Sequence, residues 1–172
     1  MAAILVGGFN VRLRDIGGGE YDFETAGGST KRVAATITRP GDTTQYAAGD
    51  EVAGGTAAGT GSVFAAVARY NGGAGVIAHA RCFDSFNQAV KPNLRLYLFA
   101  GTAAPAAAAD NAPFDPTDGD FANAFGYVEF TSWEQGGTTV GSAGNCQSFV
   151  RGLNIPYQCG AATTSIWGEL VE

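Results

Sequence analysis

The chain is short of most of what chemistry at a site requires: its 172 residues include one His, one Met, two Lys and three Cys. A single histidine, His79, leaves no second imidazole for a zinc site and little for nucleophilic catalysis to work with. Cys82, three residues further on, would project from the opposite face of an extended strand, which disfavours a Cys/His dyad. No GxSxG elbow occurs. No CxxC pair occurs either, and the odd cysteine count reads as reduced thiols, with a Cys146–Cys159 bridge across a hairpin as the alternative. Charged residues are 15% of the chain, below the roughly 25% of an average soluble domain. The eight Arg are scattered from Arg12 to Arg151 in a chain of net charge −6, so no basic face for phosphates is expected, and no nucleic-acid partner. No apolar run approaches the roughly 20 residues of a bilayer span, so no membrane partner is expected. MAAILVGGFNVRLRD has neither basic residues ahead of its apolar piece nor a cleavage site, and it reads as the start of a protein made in a cytoplasm.

What the chain does have is small and apolar residues: 30 Ala and 26 Gly within 45% hydrophobic content, which excludes disorder. Its length suits one domain, and 1–172 is expected to form a single β-sandwich domain with, at most, an extended N-terminal arm. Helical periodicity is hard to find, whereas short alternating segments bounded by Gly, Pro, Asn and Asp recur throughout. In KRVAATITR, Val33, Ala35 and Ile37 share a face. NLRLYLFA sets Leu94, Leu96 and Leu98 against Arg95, Tyr97 and Phe99, and GYVEFTSW sets Val128 and Phe130 against Tyr127, Glu129 and Trp133. LVGGFNVRLRD, SVFAAVARY, GVIAHARCF, CQSFVRGL and TTSIWGELV are further strand candidates. About eight or nine strands at this spacing predict an all-β, jelly-roll-like sandwich. TAAPAAAAD reads as a surface loop, and the Gly-rich pieces GGAGVIA and GGSTKR read as turns, because neither has the helix or residue order of a nucleotide-binding loop.

The acidic stretch DNAPFDPTDGD, residues 110 to 120, is the best place to look for a metal. Counted as an EF-hand from Asp110 or from Asp115, it supplies too few oxygen ligands. A looser calcium site on Asp115, Asp118 and Asp120 is the alternative to a turn. The turn explains more: Asp115 suits an N-cap, Pro116 a first helical position and Asp118 the third, which predicts one short helix running through FANAF to Gly126. Asp50 and Glu51, as chain neighbours, read as solvated turn acids pointing to opposite faces. No catalytic residue, cofactor or cofactor-binding residue is nominated, and the chain is expected not to be an enzyme.

Three blocks, in order, resemble one family. TRPGDTTQYAAGDEV is similar to a segment of head proteins of tailed bacteriophages in which Arg-Pro, a small residue, Asp-Thr and Tyr-Ala-Ala-Gly-Asp-Val follow one another. Gly41 and the inserted Glu51 depart from that pattern. LRLYLFAGTAAPAAAADNAPFDPTDGDFANAFGYVEF resembles the next part of the same proteins, and IPYQCGAATTSIWGELVE, with Cys159, their C-terminal strand pair. The family is that of capsid decoration, or cement, proteins. The resemblance implies a jelly roll, commonly a homotrimer, on the outer surface of the virion, made in the host bacterial cytoplasm and bridging copies of the major capsid protein. Eleven Phe, six Tyr and two Trp keep a second expectation open, a receptor- or carbohydrate-binding sandwich of a phage fibre or tail.

Overall fold

The structure, a computed structural model, describes residues 3–6, 9–17, 20–25, 31–39, 45–54, 58–85, 90–135 and 145–172. The chain divides into two compact units, Met1–Arg32 and Val33–Glu172.

The first unit is a three-stranded antiparallel sheet of β1 (Ala3–Val6), β2 (Phe9–Gly17) and β3 (Glu20–Thr25) in that order. Leu5 pairs with Asn10 and Leu13 with Phe23, so LVGGFNVRLRD forms two strands where one was expected.

The second unit holds β4 (Gly59–Thr60), β5 (Ser62–Phe64), β6 (Ala74–Asp84), β7 (Leu94–Phe99), β8 (Ala106–Ala107), α1 (Asp118–Phe121), β9 (Ala124–Phe130), β10 (Glu134–Gln135), β11 (Cys146–Gln158) and β12 (Ile166–Val171). One sheet has the order β5-β12-β7-β9, a second β10-β11-β6, and β4 pairs with β8; every pairing is antiparallel. Alternation explains the core. Leu94 and Leu98, Val128 and Phe130, and Ile166 turn one face of the four-stranded sheet inward, where each is at most 7% exposed. Ile77, Ala80 and Cys82 of β6, with Val150, Ile155 and Tyr157 of β11, pack against them from the three-stranded sheet. At about 1.5–3 kcal/mol for each large apolar side chain fully buried, this interface is what holds the two sheets together. The expected all-β sandwich is therefore present.

Several local expectations are corrected. KRVAATITR joins no ladder among the described residues, although Val33, Ala35 and Ile37 are half-buried and their neighbours exposed. Period-two burial reports an extended chain lying on a surface, and that does not require a paired strand. SVFAAVARY is strand only over β5, because the chain turns at Ala66, whose φ is 55°. TAAPAAAAD is not a surface loop: Pro105 and Ala107 are buried, and Ala106–Ala107 pair with Gly59–Thr60. Gly61 permits that closeness, since a Cβ there would lie 3.0 Å from the Pro105 ring.

The helix begins two residues later than the sequence suggests. Thr117, not Asp115, is the N-cap: its Oγ1 accepts the Asp120 N–H at 3.2 Å and donates to the Asp120 carboxylate at 2.7 Å. Thr-x-x-Asp supplies this cap, since the Thr117 hydroxyl engages both the N–H and the carboxylate of Asp120. FANAF does not continue the helix either, because Ala124 onward is claimed by pairing with β7. Cys146 and Cys159 do not flank a hairpin. They bracket the single 13-residue strand β11, roughly 40 Å of extended chain, and all three cysteines are free thiols.

Candidate functional site

Arg39, Tyr46 and residues 49–52, 110–114 and 170–172, from three regions far apart in the chain, converge on one buried junction. Its hub is Asp110, whose side chain is 1% exposed. Asp110 Oδ1 accepts the Tyr46 hydroxyl at 2.6 Å and the Ala53 N–H at 3.0 Å, while Oδ2 faces the Arg39 guanidinium at 3.7 Å. Arg39 in turn lies over the Tyr46 ring, 4.2 Å from its centroid. The Arg, Tyr and Asp of the first two blocks thus form one clamp. Backbone bonds complete it: Val52 N–H donates to Leu170 at 2.7 Å, Glu51 N–H to Ala112 at 2.8 Å, Asn111 N–H to Glu51 and Phe114 N–H to Gly49, both at 2.9 Å. Residues 49–52 therefore lie between residues 111–114 and the C-terminal end of β12. Gly49 makes the entry turn with a φ of 95°, left-handed backbone that glycine adopts without strain.

Two carboxyl groups lie beside this junction, and they overturn the expectation that the acids here are solvated. Glu51 is 3% exposed, and its Oε2 accepts the Ala108 N–H at 2.6 Å. Burial pushes its pKa up to about 6; the Ala108 bond opposes this, and nearby Asp110 adds to it. Glu169 is 2% exposed, and neither of its oxygens bonds a described protein group. Burial first, then Glu51 and Asp120, push it up to about 8, so it is largely protonated at neutral pH. Both line a cavity of about 40 Å³ with Ile37, Gly61, Ala107 and Leu170. Two carboxyls with divided pKa values form an acid–base pattern. The cavity, however, has room only for water-sized molecules and is far below the roughly 300 Å³ at which ligand pockets begin. Asp50, beside them in sequence, is half-buried and accepts the Ala47 N–H at 2.7 Å within its own turn.

The calcium candidates fall elsewhere. Asp118 and Asp120 occupy the first turn of α1, Asp115 is exposed, and among the described residues no cluster of three or more His, Cys, Asp or Glu is arranged to hold a metal. His79 is exposed while Cys82 is half-buried and packs on the core, so the two do point apart.

Two exposed faces complete the inventory. On the outer side of the four-stranded sheet, DNAPFDPTDGD lays Phe114 on Tyr97, stacked at 4.6 Å, with Phe121 and Tyr127 at 6.3 and 6.0 Å from Tyr97. Arg95 lies over Tyr127 at 4.8 Å and binds Glu129. On the outer side of the three-stranded sheet, Val76, Phe83 and Phe149 are exposed to between 41% and 55%, interleaved with Arg81, Arg151 and His79. Comparison with known proteins finds no counterpart: no family model, no curated protein and no solved structure matches this chain.

Sequence reasoning missed Glu51, Glu169 and Asp110 as buried groups. The available signal was in IWGELV, where Glu169 shares a strand face with Trp167 and Val171. A carboxyl between two large apolar residues on one face indicates that the face is covered.

Proposed function

We propose that this chain is a virion structural protein that binds the outer surface of an assembled phage capsid and bridges major capsid subunits without catalysing a reaction. The observation that carries this reading is the junction at Asp110. The three blocks resembling decoration proteins are separated by tens of residues, yet they meet through the Arg39–Tyr46–Asp110 clamp and the backbone bonds between residues 49–52, 111–114 and 170–172. Residues that recur in order through a family are expected to meet when what recurs is a fold, and the contacts at Asp110 support that reading. The jelly-roll connectivity, the homotrimer and the place on the virion surface belong to the same proposal. A cement protein acts by adding buried area across joints, and several modest contacts linked in one oligomer hold where a single contact would be lost.

The test is direct. Undecorated, expanded capsids are mixed with purified protein, and the particles are imaged and heated. Expected are saturable density at a repeated symmetry position and a raised disruption temperature. Absence of bound density at saturating protein overturns the proposal.

One observation favours a second reading, a receptor- or carbohydrate-binding module of a fibre or tail. The ring cluster of Tyr97, Phe114, Phe121 and Tyr127 presents aromatic edges and faces beside a charged pair, as sugar-stacking sites do. Calorimetry against host surface polysaccharide separates the two readings: sugar binding lost on Phe121→Ala, together with no capsid binding, would favour the second.

A further inference from the structure

We propose that the outer face of the β10-β11-β6 sheet is the surface that docks, and that it recognises a carboxylate-bearing patch on the protein shell. This rests on the capsid-binding proposal above and adds the place and the chemistry. The register fixes the face row by row. Pro156 lies opposite Val76, Arg151 opposite His79, Phe149 opposite Arg81 and Gln147 opposite Phe83. Opposed residues of an antiparallel pair project to the same side, so these eight side chains form one surface. A change of parity makes this continuous. Between Arg151 and Ile155 the register shifts, with left-handed backbone at Gly152 (φ 71°) and Asn154 (φ 53°). This bulge lets His79 and Val76 point outward together although they are three residues apart.

The composition of the face is that of an interface core. Phe, Val, Pro, His and Arg are gathered there without a lysine, and arginine and aromatic residues are the types over-represented where binding energy concentrates. The Arg81 guanidinium lies 5.7 Å from the Phe83 centroid and 5.7 Å from that of Phe149, and Arg151 lies 5.8 Å from Phe149. The ring faces hold the guanidinium planes in place, and their N–H edges are left to take a carboxylate in bidentate fashion. Among the described residues neither Arg81 nor Arg151 pairs with an acid, in contrast to Arg95, which binds Glu129 on the other sheet. Among the described residues, Glu134 pairs in register with Gln147 at the rim of this face. A chain of net charge −6 thus sets two unpaired cations and exposed rings on one sheet face, and an acidic protein surface is the complement to that arrangement.

The size of the face determines how it can work. Two strands of about 11 residues at ~3.3 Å per residue and ~4.8 Å spacing cover on the order of 350 Å², well below the ~800 Å² per partner of a stable complex. One copy therefore binds weakly and reversibly, and tight attachment depends on several copies engaging a shell that repeats the complementary patch.

Undecorated capsids are titrated with wild-type protein, with the Arg81→Glu/Arg151→Glu double variant and with Arg95→Glu, at 50 to 500 mM NaCl. Circular dichroism and sedimentation are recorded for each protein. Expected are wild-type binding that weakens steeply with salt, at least a 100-fold loss for the folded double variant, and less than a threefold change for Arg95→Glu. If the wild type binds shells and the double variant binds equally well, the docking face is overturned while the capsid role stands. If the double variant changes only the oligomeric state, the face joins copies of this chain and the proposal is again overturned. If the wild type itself does not bind, both proposals fall. Should the double variant misfold, Phe83→Ser/Phe149→Ser supplies the same comparison.

Discussion

Replacing Glu169 by Gln should change the pH dependence of stability more than stability itself. The carboxyl is 2% exposed, bonds no described protein group, and has its pKa raised from 4.5 to about 8. In the unfolded chain it loses its proton near pH 4.5, and in the folded chain it keeps it until about pH 8. Between those values the native state binds the extra proton, so stability is highest at the acid end and falls as pH rises. Each pH unit in that window carries about 1.4 kcal/mol, which sets a ceiling of ~5 kcal/mol over the interval. Relaxation and water entry into the adjoining cavity reduce this to an expected ~2–3 kcal/mol. For a unit of this size that is a Tm lower by roughly 5–10 °C at pH 8.5 than at pH 5. Glu51, raised to about 6, adds a loss of the same sign between pH 4.5 and 6. Glu169→Gln keeps the shape and removes the charge. Its Tm should match the wild type within a few degrees at pH 5 and exceed it by roughly 5 °C or more at pH 8.5. Thermal unfolding followed by circular dichroism across pH 5 to 9 measures both curves. A wild type that gains stability between pH 6 and 8.5, or a variant that retains the full wild-type slope, refutes the reasoning.

Other expectations follow from single contacts. Tyr46→Phe removes one of the donors to the buried Asp110 carboxylate and should cost about 1.5–3 kcal/mol, read as a lower urea midpoint with an unchanged m-value. Gly160→Ala would drive a methyl into the Gly101 backbone, with Thr102 N only 2.8 Å away, and should destabilise by more than ~3 kcal/mol. Gly119→Ala, inside α1, meets only Thr117 Oγ1 at 3.8 Å and should be neutral or stabilising by a few tenths of a kcal/mol; chemical denaturation ranks the two. Three thiols should titrate in denaturant, while native Cys82, raised to about 11 by burial, should be alkylated at pH 8 at least ~100-fold more slowly than a free cysteine.

Much of the fold is legible in the sequence, and for a definite reason. Where one sheet face meets the core and the other meets water, alternation records it: Val128 and Phe130 are buried and Tyr127 and Glu129 exposed, as their spacing says. The sequence fails where burial comes from elements distant in the chain. Nothing near Glu51 announces that residues 105–113 will close over it, and the polyalanine of that segment looks solvated until Gly61 is seen to admit Pro105. In β11, Gly152 and Asn154 look like the end of one strand, and only the register with β6 makes them a bulge inside a longer one. The docking face was hidden by the same bulge, because a change of parity hides a continuous stripe from any strict period of two.

The position of β12 has a consequence for how the protein comes into being. Last of the strands in sequence, it lies between β5 and β7, so no prefix of the chain can close the four-stranded sheet. The β7–β9 pair can form early from nearby residues, but β5 waits about a hundred residues for its partner. That long loop closure makes folding slow, and until it happens the inner edge of β7 is open to other nascent chains. Fragments ending before Ile166 should collect in inclusion bodies, and soluble yield should depend on the rate of synthesis and on chaperones more than on final stability.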